Sequence, residues 1–256
     1  MTDVLDIESN EKLREIQKIL LFRNDISPFL VHLTRDTDKV ARLNLESILD
    51  SKSLKYGPEP FSDAIYGFDP VNLTPAIKLN FFSAISFTET PLSEIHNLLD
   101  IAYRKIQLKP YGLVFFKPKL KAKGVSPVIY VNNMNGDMDD VVRAMCGLVY
   151  TQSAAAMRIL PLVAVFGKFL RPIRGPYYEE NIDFTWEREW RFVSGTNEFR
   201  FDHDDVFMGL CPHDEIPYFE SRFSWLRFID PKRNIKWYAE KLVEARKSSQ
   251  LDYSVV

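Results

Sequence analysis

Trp186-Glu187-Arg188-Glu189-Trp190-Arg191-Phe192-Val193 places two carboxylates two residues apart at the head of an alternating aromatic and β-branched run. A side-chain period of two makes such a run a strand and puts Glu187 and Glu189 on one side of it. A pair of acids in that position is either a solvated edge or a strand-borne catalytic acid, and the segments around it decide between the two. Downstream, Ser194-Gly195-Thr196-Asn197 is a turn signal, so Phe199-Arg200-Phe201 is expected to return as the hairpin partner of the acid strand. Upstream, Lys168-Phe169-Leu170-Arg171-Pro172-Ile173-Arg174-Gly175-Pro176-Tyr177-Tyr178 mixes cations with aromatics. That mixture suits the phosphates and stacked bases of a single nucleic-acid strand, and it also suits a rigid proline-rich surface loop.

Further upstream, Phe29 to Thr34 has strand composition, with Leu30, His32 and Thr34 on one face. Val40 to Leu54 carries Leu45, Ile48 and Leu49 at helical spacing. Gly57 to Leu79 reads as a long loop holding Phe61, Tyr66 and Phe68. Phe81 to Phe87 is the next strand, and Thr90-Pro91 opens a helix with Leu92, Ile95, Leu98, Leu99 and Ala102 inward. Tyr111 to Phe116 and Pro127 to Val131 follow as strands, with Lys117, Lys119, Lys121 and Lys123 on a solvated hairpin turn between them. Asp137 to Tyr150 is a helix with Val141, Val142, Met145 and Leu148 inside. Amphipathic helices over about 11–22 and about 231–246 bracket the chain, the second capped by Asp230-Pro231, and Trp225 to Ile229 is a last strand. Strands and helices are mixed rather than strictly alternating, so the fold expected is α+β.

The chain has 256 residues, 46% of them hydrophobic and 27% charged, which is enough for one domain over 1–256 with a sizeable core. A net charge of −2 argues against a surface that is basic throughout but allows a local basic groove. Cys146 and Cys211 have neither metal nor redox spacing and read as core thiols of a reducing compartment. The acidic start lacks the pattern of a signal peptide, and the most apolar stretch, Ala154 to Phe169, is interrupted by Arg158, Pro161 and Lys168. A cytoplasmic protein without a membrane partner is therefore expected. His32, His96, His203 and His213 form no metal-ligand spacing, and no glycine-rich phosphate loop or nucleophile elbow is present, so no metal is expected.

Val31-His32-Leu33-Thr34-Arg35 followed by Leu43-Asn44-Leu45-Glu46-Ser47-Ile48-Leu49 resembles the H-x-T strand and N-L-x-x-I-L helix that open DarT-type ADP-ribosyltransferases and the NAD-dependent RNA 2′-phosphotransferases. The order Ile85-Ser86-Phe87-Thr88-Glu89-Thr90-Pro91-Leu92, then Tyr111 to Phe115, then Glu187-x-Glu189-Trp190-Arg191 resembles the layout of AbiGi-like phage-resistance proteins. Together the motifs extend over roughly 29 to 195.

The resemblance implies a split mixed or antiparallel sheet with flanking helices, as in ADP-ribosyltransferases, and NAD as substrate. It makes Glu189 the acid that binds the ribose hydroxyl and stabilises an oxocarbenium-like state. Glu187 is then the acceptor-side partner, or a solvated ion pair with Arg188 or Arg191. His32 would hydrogen-bond the adenosine ribose, with Thr34 and Arg35 on nearby hydroxyl or phosphate groups, unless His32 is a satisfied core histidine. Ser86 and Thr88 would support the nicotinamide end or form a structural hydroxyl network, and Tyr103 or Tyr111 would stack on nicotinamide unless they are core tyrosines. Lys168, Arg171, Arg174, Tyr177 and Tyr178 would receive the acceptor, a nucleic acid with RNA favoured over single-stranded DNA. The leading expectation is thus an ADP-ribosyltransferase toxin of anti-phage defence with a cognate antitoxin. An NAD-dependent RNA 2′-phosphotransferase, or a catalytically inactive interaction or antitoxin module on the same fold, are the alternatives.

Overall fold

A computed structural model describes residues 26–56, 83–99, 101, 106–151, 153–167, 183, 185–194 and 198–248, with the side chains of 139, 143 and 146 excepted. The strands are β1 (Phe29–Arg35), β2 (Ser53–Lys55), β3 (Ile85–Thr88), β4 (Leu108–Phe116), β5 (Ser126–Pro127) and β6 (Ile129–Asn133). They continue with β7 (Val163–Gly167), β8 (Glu189–Phe192), β9 (Glu198–Arg200), β10 (Val206–Leu210) and β11 (Phe228–Ile229). The α-helices are α1 (Ala41–Ser51), α2 (Lys117–Ala122), α3 (Asp139–Gly147), α4 (Ala154–Ile159), α5 (Ile216–Arg222) and α6 (Ala239–Ser248). The architecture is α+β with mixed strand pairing and flanking helices, as the mixed order of strand and helix patterns leads one to expect.

Two compact units share the chain, the first drawn from within Met1–Leu45, Glu89–Pro118 and His203–Val256, the second from within Glu46–Thr88 and Lys119–Asp202. In the first, strands run in the order β11-β10-β4-β1, with β10 parallel to β11 and the other pairs antiparallel. Leu30, Val31, Leu113, Val114 and Phe115 are buried there, as is every residue of β10. A continuous apolar strand of this kind is what burial on both faces requires. Gly112 lies in register with Leu33, and a Cβ at position 112 would collide with the His32 carbonyl, so only glycine lets β4 approach β1 this closely.

In the second unit β8 lies between β3 and β5, β2 pairs with β9, and β6 runs parallel to β7. Its core joins Val142 and Val149 to Ala156, Leu160, Val163 and Val165. Phe199 packs edge-on against Phe87 and Phe192.

Several expectations are corrected. The lysine-rich stretch is helix α2 rather than a hairpin turn: Pro118 suits a first turn, Leu120 is buried, and Gly124 at φ 92 ends the run. Phe199 belongs to a strand that pairs with β2 rather than with the acid strand, because burying Phe199 opposite Leu54 wins over the local turn. The run from Pro127 to Val131 divides between β5 and β6, and the last strand contracts from Trp225–Ile229 to Phe228–Ile229. Asp230 receives the Lys232 N–H in a turn, while Asn234 caps the helical segment that leads into α6. Leu92–Leu98 is a 3₁₀ segment instead of an α-helix. The opening helix at about 11–22, the loop from Gly57 to Leu79 and positions Ala102, Tyr103, Arg104 and Lys105 lie outside the described residues.

Candidate functional site

Strand β8 opens at Glu189, directly after Arg188, which adopts φ 47. A non-glycine residue in that left-handed region costs roughly 1–2 kcal/mol, so the surrounding bonds must hold it. They do: the Arg188 N–H donates to the Thr185 carbonyl at 3.1 Å, closing a 3₁₀ turn over Thr185–Glu187. This corrects the strand placement of Glu187. The residue lies in that turn, and the left-handed Arg188 breaks the alternation that was to put both acids on one strand face. The residues that do share a strand face are Glu189 and Arg191.

Arg191 is 2% exposed. Its Nε donates to Glu189 Oε1 at 3.0 Å and its Nη2 to Oε2 at 2.7 Å, a bidentate pair whose carboxylate side chain is only 12% exposed. Nη1 donates to the carbonyls of Pro161 and Val163 at 2.7 and 3.2 Å. One guanidinium thereby joins β8 to the entry of β7. The Glu189 backbone is held as well, since its N–H donates to the Tyr130 hydroxyl at 2.9 Å and its carbonyl accepts from the Val128 N–H at 3.0 Å.

Burial, reinforced by the Glu189 and Glu187 carboxylates, pushes the Tyr130 phenol up to about 12 against the opposing Glu189 N–H bond and Arg191. The folded state therefore holds this proton more tightly than the unfolded chain, whose tyrosine titrates near 10. The stability Tyr130 contributes is full below about pH 10 and is lost as pH rises through about 12. Urea titrations across that window should show a base-induced loss that shrinks in Tyr130→Phe; an identical loss in the variant would remove Tyr130 from the explanation.

Strand β3 lies beside the pair. Thr88 is the register partner of Glu189 and Ser86 that of Arg191. The Thr88 hydroxyl donates to the Glu187 carbonyl at 2.6 Å, fixing the turn before β8. Alternation along Ile85-Ser86-Phe87-Thr88 buries Ile85 and Phe87 on the other face. Ser86, Thr88, Glu187 and Glu189 are thus brought together within the second unit.

His32, Thr34, Arg35 and Tyr111 belong to the first unit. His32 is half-buried in β1 in register with Leu113. The buried Thr34 hydroxyl lies 3.2 Å from the Ala41 carbonyl and 3.1 Å from that of Tyr111, tying α1 to β4. The Arg35 carbonyl accepts from Asn44 Nδ2 at 2.8 Å, which gives the asparagine of the N-L-x-x-I-L motif a structural role in holding the strand–helix turn. The Tyr111 hydroxyl donates to Glu215 Oε1 at 2.7 Å, and burial together with that carboxylate drives the phenol well above its ordinary range. Arg42 Nε stands 3.2 Å from Glu215 Oε2, with its guanidinium 4.4 Å from the Tyr218 ring centroid. Lys168, Arg171, Arg174, Tyr177 and Tyr178 lie outside the described residues.

Three residues escaped the sequence reading: Tyr130, Arg42 and Glu215. Arg191 was noted only as an ion-pair partner. Tyr130 carries no local signal because its bond to Glu189 spans 59 positions. Cys211 is a buried free thiol whose ionisation burial pushes far up, consistent with the core role expected of it. Among the described residues, no group of three or more His, Cys, Asp or Glu side chains is placed to hold a metal ion, and no helix is long and apolar enough to cross a membrane.

A carboxylate doubly held by an arginine has a fixed orientation, with outer lone pairs still able to accept a hydroxyl. The arrangement serves equally to brace a sheet and to present an oriented negative charge. No curated protein and no solved structure matches the chain. Residues 82–203, which contain the Glu189–Arg191 pair, Tyr130 and β3, match the model of a family described as "Putative abortive phage resistance protein AbiGi, antitoxin", and over that segment the chain is similar to this phage-resistance family.

Proposed function

We propose that the protein is the antitoxin component of an abortive phage-defence pair, an interaction module that binds a cognate toxin and does not turn over NAD. The observation that carries this reading is the match of 82–203 to the phage-resistance antitoxin family. The geometry is compatible with it, because each oxygen of Glu189 accepts one hydrogen bond from Arg191 and the Arg191 guanidinium also holds two backbone carbonyls, as a structural brace does.

A second reading, an ADP-ribosyltransferase, is favoured by the register of β3 and β8, which sets Thr88 opposite Glu189 and Ser86 opposite Arg191. On that reading the oriented carboxylate accepts the ribose hydroxyl of NAD through its outer lone pairs. The glycosidic bond to nicotinamide breaks, charge develops on the ribose, and an acceptor nucleophile takes the ADP-ribosyl group. On that reading Lys168, Arg171, Arg174, Tyr177 and Tyr178 receive the nucleic-acid acceptor.

Incubating the full chain with NAD labelled in both halves, together with separate RNA, DNA and protein pools, separates the two readings. The antitoxin reading expects no nicotinamide release above the buffer control. Release with label transfer, reduced at least about 100-fold in Glu189→Gln, would establish the enzyme instead, and the labelled pool would identify its acceptor.

A further inference from the structure

Helix α3 and the 3₁₀ turn Leu148–Thr151 that continues it have two apolar faces, and only one is covered. Val142 and Val149 are 1% and 3% exposed, and with Met145 they pack into the core of the second unit. Val141 is 42% exposed and Leu148 38%, and the exposed Ala144 lies between them. Positions 141, 144 and 148 follow the i, i+3, i+7 spacing of a single helix stripe. Tyr150, 66% exposed, lies in the 3₁₀ turn that follows and points away from this row. A soluble surface rarely leaves such a row uncovered, and the helical spacing matches the mode in which an apolar stripe enters a groove or pairs with another helix.

The chemistry of the rim decides the occupant. Asp137 and Asp140 are exposed at the amino end of the stripe, and among the described residues Asp140 has no ion-pair partner. An acidic rim selects a partner whose apolar patch is bordered by lysine or arginine and disfavours a second copy, which would bring the same acids. We infer that the Val141–Ala144–Leu148 stripe with its acidic rim is the surface that grips the cognate toxin, and that the toxin offers an apolar surface edged with basic side chains. The inference rests on the antitoxin reading, and the stripe lies within the segment that carries the family match.

The test co-expresses the full chain with the tagged product of each gene adjacent to its own, purifies the complex and measures its stoichiometry and affinity. The expected result is a complex with one of these proteins. Val141→Asp/Leu148→Asp should weaken it at least tenfold, Asp140→Lys several-fold, and added salt should weaken the wild-type complex. Trp237→Ala, at an exposed residue of the first unit, should bind as wild type. Circular dichroism and the thermal transition check that each variant folds, and Asp140→Lys keeps the test decisive should the double variant fail. Wild-type affinity in all α3 variants overturns the stripe and leaves the antitoxin reading standing. A self-dimer dissolved by Leu148→Asp overturns it in favour of a second copy. No complex with either product defeats the antitoxin reading itself and this inference with it.

Discussion

Arg191→Ala is expected to destabilise the second unit by about 3–5 kcal/mol, the range for breaking a buried ion pair by removing one partner. The Arg191 side chain is 3% exposed and Glu189 12%, so solvent cannot rehydrate what the substitution abandons. A carboxylate and the carbonyls of Pro161 and Val163 all lose donors together. Arg191→Lys should recover only part of this, since an ammonium cannot present parallel donors to both carboxylate oxygens while reaching a third and fourth acceptor. Glu189→Gln keeps two oxygen and nitrogen positions in place and should cost less, about 1–3 kcal/mol. Urea unfolding checks the order, and hydrogen exchange should show the loss concentrated in β7 and β8. An Arg191→Ala protein as stable as wild type would show that the pair does not brace the sheet.

Phe219→Ala is expected to cost the first unit about 3–5 kcal/mol. Phe219 is fully buried in α5, with ring centroids 5.1 Å from Phe228, 5.4 Å from Tyr218, 6.3 Å from Phe223 and 6.4 Å from Tyr111. Alanine would leave a void bounded by rings that cannot collapse together, because Phe228 is fixed in β11 and Tyr111 in β4. Phe219→Leu should cost clearly less, since it refills most of the volume. The midpoint of urea unfolding should fall with the slope unchanged; a Phe219→Ala loss below about 1 kcal/mol would mean that the cluster repacks.

The parts of the molecule that were legible from sequence are those whose information is local. Alternation identified β1, the apolar run Phe81–Phe87 overlapped the strand that forms at Ile85–Thr88, and helical spacing identified α1, whose Leu45 and Leu49 are buried. The Glu189–Arg191 pair was also accessible, since residues two apart on a strand share a face. Strand β10 was not, because Val-Phe-Met-Gly-Leu is a short continuous apolar run without a period of its own, and only its neighbours β4 and β11 identify it. The partner of β9 was assigned to the nearest turn signal, whereas the observed pairing with Ser53–Lys55 reaches across more than 140 positions. Tyr130 and the Tyr111–Glu215–Arg42 chain likewise depend on contacts that tertiary packing alone creates. Glu187 was misplaced by a single residue of left-handed backbone at Arg188, a conformation that arginine does not announce in sequence.

On the antitoxin reading the chain restrains a toxin rather than acting as one, and growth measures this most directly. The full chain, the product of each adjacent gene, and the pairs should be induced separately in the same host. The expected result is that one adjacent product arrests growth alone, that this chain alone does not, and that inducing both restores growth. Arrest by this chain alone, relieved by Glu189→Gln in a protein that still folds, would contradict the antitoxin assignment and return Glu189 to catalysis.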